Sequence, residues 1–309
     1  MNLLSIRDLS VCDLTHLTSF PKLPDGKPLG AVEAVRLGTM ALLFEQPSLR
    51  TMSSFAAAAV RSGLSPIAIT TSGNRFRDQT ELHDEIHQLS LTSDCVVVRS
   101  ESVLQPELLR WCAAPVINAG DGNNEHPTQT LIDIAVMRHF GLDGRVVAIL
   151  GNMRDHRTAH SLTLALRQLG IHVRLVSPPS LAMDHSYTES EAEVVLATTI
   201  CERNAAISDA DFVYLLPTMS LSSPERLHEN IYMFDLAQAK QAIKPGAKIM
   251  HPFPRFGELK TDLDYSVYDA YHLQTSIAPY VRERVLRYVL SSVKASRSGQ
   301  AIEPILRTS

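Results

Sequence analysis

Apolar and polar positions along the chain fall into two alternating patterns. Short apolar, often β-branched runs occur at 95–99 (Cys-Val-Val-Val-Arg), 115–118 and 145–151, and again at 172–176, 211–216 and 248–250. Runs of this length read as buried strands. Between them, 127–140 places Leu131, Ile134, Ala135 and Arg138 at helical spacing and is closed by Gly141, and 158–169 is amphipathic and closed by Gly170. A helix begins at Pro47-Ser48 and continues through Ala56-Ala57-Ala58-Ala59-Val60, the stretch Gly120-Asp121-Gly122-Asn123-Asn124 is turn chemistry, and 279–295 predicts a last long helix carrying Arg282, Glu283, Arg284 and Arg287. A strand–helix–strand rhythm predicts an α/β protein of two domains, each a parallel sheet flanked by helices. The boundary falls at 139–144, where one helix stops and a new series of strands begins.

Composition narrows the function classes. The chain has 309 residues, with 29 Lys+Arg against 33 Asp+Glu and a net charge of −4. That balance, without a Lys/Arg-rich run, argues against nucleic acid as a partner. No apolar run approaches the roughly 20 residues needed to cross a bilayer, and the first residues lack the pattern of an export signal, so a cytoplasmic protein without membrane partners is expected. Cys12, Cys95, Cys112 and Cys201 are far apart with no CxxC pair, which predicts free thiols rather than zinc ligands.

Three segments put Arg, His or Gln beside a strand end or a helix start. In Ser48-Leu49-Arg50-Thr51, backbone N–H groups at a helix start, two hydroxyls and a guanidinium fork would form an anion site; the plainer alternative is a helix cap beside a solvated arginine. In His126-Pro127-Thr128-Gln129, the histidine can donate to a polarised carbonyl and Gln129 can bind an amide, or the segment is simply a turn with proline at the first helical position. In His251-Pro252-Phe253-Pro254-Arg255, two prolines fix an extended loop whose carbonyls can accept from an amine, or the loop is a rigid connector. His156 and His160 stand at i, i+4 with Asp155 nearby, but no third metal ligand has suitable spacing. Gly151-Asn152-Met153 is not a dinucleotide fingerprint.

Together these segments resemble the aspartate/ornithine carbamoyltransferase family, more closely its aspartate branch. Ser48-Leu49-Arg50-Thr51 matches the family's Ser-Thr-Arg-Thr, and His126-Pro127-Thr128-Gln129 follows Asn118-Ala119-Gly120-Asp121-Gly122 as in the aspartate branch. His251-Pro252-Phe253-Pro254-Arg255 matches His-Pro-Leu-Pro-Arg, Arg99 takes the place of a strand-end arginine, and Arg157-Thr158-Ala159-His160-Ser161-Leu162 resembles Arg-Thr-x-His-Ser-Leu. The resemblance implies a carbamoyl phosphate-binding domain over 1–139, an acceptor-binding domain over 144–276, and a C-terminal helix within 279–309 that packs back on the first domain. It implies phosphate binding by Ser48, Leu49, Arg50 and Thr51, and donation to the carbonyl oxygen by Thr51, Arg99 and His126. Gln129 and the carbonyls of Phe253 and Pro254 would hold the carbamoyl NH₂. Neither a metal nor an organic cofactor is implied. A homotrimer with shared sites is, and it leaves room for a regulatory or pathway-enzyme subunit.

The sequence departs from the family in two places. The loop that supplies a serine and a lysine from a neighbouring subunit is here Thr71-Ser72-Gly73-Asn74-Arg75-Phe76-Arg77-Asp78-Gln79-Thr80-Glu81, without lysine, so Arg75 or Arg77 is the candidate substitute. In the acceptor loop Leu215-Leu216-Pro217-Thr218-Met219-Ser220-Leu221 the expected arginine is missing and the next is Arg226, which leaves Arg157 and Thr218 as acceptor-binding candidates. The expected function is transfer of a carbamoyl group from carbamoyl phosphate to L-aspartate, in pyrimidine biosynthesis, or to a related small amine. The alternative is a catalytically silent homologue that acts as a structural partner or binds carbamoyl phosphate without turnover.

Overall fold

Each apolar run of the sequence becomes a strand in one of two sheets. The structure is a computed structural model and describes residues 2–21, 38–71, 78–188, 192–217 and 231–298, with side chains as far as 292. The strands are β1 (Gly38–Phe44), β2 (Leu64–Thr70), β3 (Cys95–Ser100), β4 (Val116–Asp121), β5 (Val146–Leu150), β6 (His172–Ser177), β7 (Glu193–Leu196), β8 (Phe212–Leu215) and β9 (Lys248–Met250). The helices are α1 (Val11–Leu17), α2 (Leu49–Arg61), α3 (Gln79–Thr92), α4 (Pro106–Leu109) and α5 (Pro127–His139). They continue as α6 (Arg157–Gln168), α7 (His185–Thr188), α8 (Ile200–Ile207), α9 (Leu236–Ala242) and α10 (Tyr271–Ser298).

The chain forms two compact units. The first takes residues 1–4, 24–119 and 282–309. Its sheet runs β2-β1-β3-β4, with β1 parallel to both β2 and β3. The alternation of β1 sends Ala41 and Leu43 into a core with Val96, Val98, Ile86 and Val116. Pro66 lies on edge strand β2, where a missing N–H is tolerated. At the other edge Leu3 pairs with Ile117, its N–H reaching the Val116 carbonyl at 3.0 Å. The C-terminal half of α10 joins this unit through α2: Arg61 pairs with Glu283 at 2.6 Å and Arg287 donates to the Arg61 carbonyl at 3.2 Å. The expected return of the C-terminal helix is thus present.

The second unit takes residues 5–23 and 120–281. Its parallel sheet runs β7-β6-β5-β8-β9, and its core gathers Ala148, Leu150, Val213, Leu215, Phe234 and Ile249. Helix α5 is buried on nearly every side, from Leu131 through Met137.

Two boundaries differ from the sequence reading. Strand β4 extends through Gly120 and Asp121, which had the look of a turn. Asp121 closes the turn with its own side chain, taking the Glu125 N–H at 3.1 Å and the Asn124 amide at 3.1 Å, while its backbone bridges Glu125. Helix α10 starts at Tyr271, so Pro279 is internal. Burial of Tyr271, Gln274 and Ile277 holds the turns before it despite the hydrogen bond the proline removes.

Immediately after β5, Gly151 stands at φ +119°, and a Cβ built there would lie 2.8 Å from the Leu216 carbonyl oxygen. Gly151→Ala combines a left-handed backbone with a clash against backbone, so it should cost about 2–4 kcal/mol. A lowered urea midpoint with an unchanged m-value checks this.

Candidate functional site

In an open parallel sheet, ligands bind beyond the carboxyl ends of the strands where strand order reverses. In the first unit that point lies between β1 and β3, where Phe44 and Arg99 are register partners. Beyond β1 comes Ser48, the N-cap of α2, whose hydroxyl donates to Thr51 Oγ1 at 3.0 Å instead of capping the helix. The first-turn N–H groups of α2 thus have no side-chain acceptor, which favours an anion there. Leu49 and Arg50 are exposed and Thr51 is buried. Partial desolvation lowers the pKa of the Arg50 guanidinium. Arg99 donates to the Ala119 carbonyl at 3.2 Å. Behind the turn, buried Arg282 donates to the Thr51 carbonyl at 3.3 Å and to Ser54 Oγ, and its guanidinium lies 4.6 Å from the Phe55 ring centroid.

In the second unit the reversal falls between β5 and β8, and three segments gather there. His126 is the N-cap of α5, without a side-chain cap, and its N–H reaches Ser161 Oγ at 2.8 Å. Ser161 donates in turn to Glu125 at 3.1 Å. Burial raises the Glu125 carboxyl above its ordinary value, although the Ile6 N–H, Ser5 and Ser161 all bond to it. Gln129 Nε2 donates to Asp133 at 2.8 Å. Arg157 opens α6 and donates to the Gly122 carbonyl at 3.1 Å; burial draws its pKa down to about 10, opposed by Asp121. After β9, Phe253 stands at φ +51° ahead of a cis Phe253–Pro254 peptide. His251 Nδ1 accepts the Phe253 N–H at 2.9 Å, so its Nε2 carries the hydrogen and donates to buried Glu258 at 2.7 Å. Burial raises the Glu258 carboxyl, but the bonds from His251 outweigh this and leave it below the usual carboxylate value.

Helix starts divide by role. Three helices away from these segments carry capping boxes, Ser10 with Asp13 at α1, Thr199 with Glu202 at α8, and Asp235 with Gln238 at α9, while short α4 has no side-chain cap. Helices α2 and α6, which follow β1 and β5 at the reversal points, and α5, which follows β4, have none.

Residues 1–139 match the family model described as aspartate/ornithine carbamoyltransferase, carbamoyl-P binding domain, and 143–288 match its Asp/Orn binding domain. The aspartate carbamoyltransferase catalytic subunit of Chromobacterium violaceum is 35% identical over 260 residues, spanning 82% of this chain and 86% of that protein. The chain belongs to the aspartate/ornithine carbamoyltransferase family. The catalytic subunit of Thermococcus gammatolerans is 32% identical across 94% of this chain and 97% of its own length. The crystal structure of aspartate transcarbamoylase from Trypanosoma cruzi in complex with carbamoyl phosphate superposes with a TM-score of 0.78 at 25% identity, covering 93% of this chain and 95% of that one. The resemblance in the motifs and the α/β fold expected from the periodicity both hold.

For the carbamoyltransferase residues, Ser48, Leu49, Arg50, Thr51 and Arg99 sit at the first reversal point, and His126, Gln129, Arg157, Phe253 and Pro254 belong to the second unit. Arg75, Arg77 and Thr218 lie outside the described residues. His160 has both ring nitrogens on backbone carbonyls, Asn124 at 2.9 Å and Met153 at 2.8 Å, and His156 Nδ1 meets Thr158 at 2.7 Å. The His156/His160 pair therefore offers one open nitrogen rather than two. Sequence reasoning missed Arg282, Asp133, Tyr214, Gln274 and Glu258. Two left a signal: Arg282 interrupts the apolar spacing of Ala278, Val285 and Val289, and Asp133 is a lone carboxylate inside an apolar helix.

Burial, with the charge of Arg157 second, presses the His156 imidazole down to about 3 from its ordinary 6.5. Between those values the unfolded chain binds a proton that the folded chain refuses, so the contribution to stability is intact above 6.5 and falls as pH drops toward 3. His156→Gln removes this loss. Compared with the parent, its unfolding free energy from denaturant titration should fall less between about pH 7 and 4, by about 1–3 kcal/mol after solvent screening.

Proposed function

We infer that the protein transfers the carbamoyl group of carbamoyl phosphate to the amino group of L-aspartate, a step of pyrimidine biosynthesis, or to a related small amine. The observation that carries this reading is the pair of arginines at the β1/β3 reversal, Arg99 near the end of β3 and Arg50 in the first turn of α2, whose start is uncapped. That arrangement suits a phosphate dianion, which takes bidentate donors and backbone N–H groups. Ser48, Leu49, Arg50 and Thr51 hold the phosphate. Thr51, Arg99 and His126 donate to the carbonyl oxygen as it becomes an oxyanion. Gln129 and the carbonyls of the Phe253–Pro254 turn take the carbamoyl N–H groups, and Arg157 with Thr218 binds the acceptor. The amine nitrogen bonds to the carbonyl carbon, the C–O bond to phosphate breaks, and the nitrogen sheds one proton as phosphate departs.

The carbamoyl phosphate-binding domain takes 1–139 with the helix of 279–309, and the acceptor domain takes 144–276, a division supported by the two matched family segments. The assembly is a cytoplasmic homotrimer in which Arg75 or Arg77 enters a neighbour's site, with room for a regulatory or pathway-enzyme subunit. The family resemblance supports both statements.

Calorimetric titration with carbamoyl phosphate, followed by aspartate with phosphate release as the readout, tests the function. Binding and turnover support it. Binding without turnover across a panel of small amines favours a carbamoyl phosphate-binding homologue, and no binding overturns both. Arg50→Ala should weaken carbamoyl phosphate binding ~30-fold or more, since it removes charge-assisted bonds, and should shift Tm by no more than about 1 °C, since the side chain is exposed.

A further inference from the structure

One buried carboxylate closes the turn after β9 on itself. Glu258 is 2% exposed and takes the His251 Nε2–H at 2.7 Å and the Phe256 N–H on both oxygens, at 3.1 and 3.0 Å. Its own carbonyl takes the Phe234 N–H at 2.7 Å, which fixes the far end of the turn to the rest of the unit. At the near end the His251 N–H is held by Gln274 Oε1 at 2.9 Å, and Gln274 turns its Nε2 to Asp133 at 2.6 Å. With the ring hydrogen of His251 on Nε2, Nδ1 is left as the acceptor of the Phe253 N–H at 2.9 Å.

That closure decides what the turn can offer a ligand. Pro252 and Pro254 carry no N–H. The N–H groups of Phe253 and Phe256 go to His251 and Glu258, so between 252 and 256 only Arg255 keeps one, and its side chain is tied to Asp264 at 3.0 Å. The Pro254 carbonyl accepts from no described residue. The turn is therefore rich in acceptors and poor in donors. It is also strained: Phe253 stands at φ +51°, which an aromatic residue rarely adopts and which persists only where the surroundings over-determine it. The restraints on Phe253 are its N–H bond to His251 and the edge contacts of its ring with His251 and Tyr271, at centroid distances of 5.3 and 5.8 Å. An amide in place of Glu258 would set its NH₂ against the Phe256 N–H whichever way it turned, because that N–H lies on both oxygens.

We propose that Glu258 is a positioning residue that acts through His251 and the Phe256 N–H to hold the Phe253–Pro254 turn as an acceptor-rich surface, and so sets the choice among acyl phosphates in favour of one that carries an N–H on the acyl carbon. The proposal rests on the carbamoyltransferase reading for its substrate. Carbamoyl phosphate and acetyl phosphate share the phosphate and nearly the same shape, and differ in NH₂ against CH₃. Facing a carbonyl, the amide hydrogen is bonded, whereas the methyl group leaves a desolvated carbonyl without a partner. Contacts to the phosphate cannot tell the two apart.

The test is titration of the full-length protein with carbamoyl phosphate, acetyl phosphate and inorganic phosphate. The parent should bind carbamoyl phosphate more tightly than acetyl phosphate. Glu258→Gln should weaken carbamoyl phosphate binding ~10-fold, while Kd for acetyl phosphate and for phosphate stays within about twofold. A loss shared equally by all three ligands marks a merely structural role and overturns the proposal, as does no loss at all. His251→Gln keeps a donor for Glu258 but removes the acceptor of the Phe253 N–H, so it should show the same selective loss; it stands in if Glu258→Gln fails to fold. In the parent, ¹⁵N NMR should show a pyrrole-type Nε2 and a pyridine-type Nδ1 at His251, and the reverse assignment overturns the link through the ring. A parent that binds both acyl phosphates alike overturns the selectivity alone. A parent that binds no carbamoyl phosphate overturns the proposed function and the selectivity with it.

Discussion

A carboxylate cut off from water must be surrounded by donors, and Asp133 imposes that requirement on the second unit. It stands inside α5, a helix otherwise buried in hydrocarbon, and draws an amide from its own helix, a phenol from β8 and an amide from α10. Charge-assisted bonds of this kind are worth about 1.5–3 kcal/mol each, and a buried donor left without its acceptor costs a similar amount. The elements meeting at the β5/β8 reversal are therefore held in register by polar geometry as well as by packing. The orientation of Gln129 and the attachment of His251 both follow from that one group.

The two reversal points serve the two halves of the chemistry with the same device. Each sheet reverses its strand order at one point, and α2 and α6, which follow the strands there, together with α5 after β4, keep their first N–H groups free of side-chain caps. Capping boxes stand instead at α1, α8 and α9. A missing cap typically costs about 1 kcal/mol. At α2 that cost is accompanied by a place for an anion, and Arg282 braces the same turn from behind through the Thr51 carbonyl.

Much of this was legible in the sequence. Short apolar runs located β3, β5, β6, β8 and β9, because a strand buried on both faces is apolar throughout, and period-3.6 patterns located α5 and α6. Local motifs marked Ser48–Thr51, His126–Gln129 and the His251 turn, because turns and helix starts are short-range chemistry. What escaped was long-range or one-sided. Pro279 signalled a helix start because the cost of an internal proline is local, while the burial that outweighs it comes from residues distant in sequence. Asp121 read as a turn because the bridge that extends β4 depends on Glu125 bending back to meet it. Asp133 is partnered by Tyr214 and Gln274, at sequence separations of 81 and 141, which no local pattern encodes.

Helix α10 crosses from one unit to the other within a single element, and that route imposes an order of events during synthesis. The first unit needs residues 1–4 at one edge of its sheet and residues beyond 281 against α2. A chain emerging from a ribosome can form β1 to β4 early, yet the Thr51 carbonyl waits for Arg282, which follows the last segment of the second unit. The second unit has no such debt, since its segments are complete by residue 281. The turn at Ser48–Thr51 is thus braced only after the second unit has been made, and a chain cut before residue 282 would carry a complete second unit and a first unit without that brace.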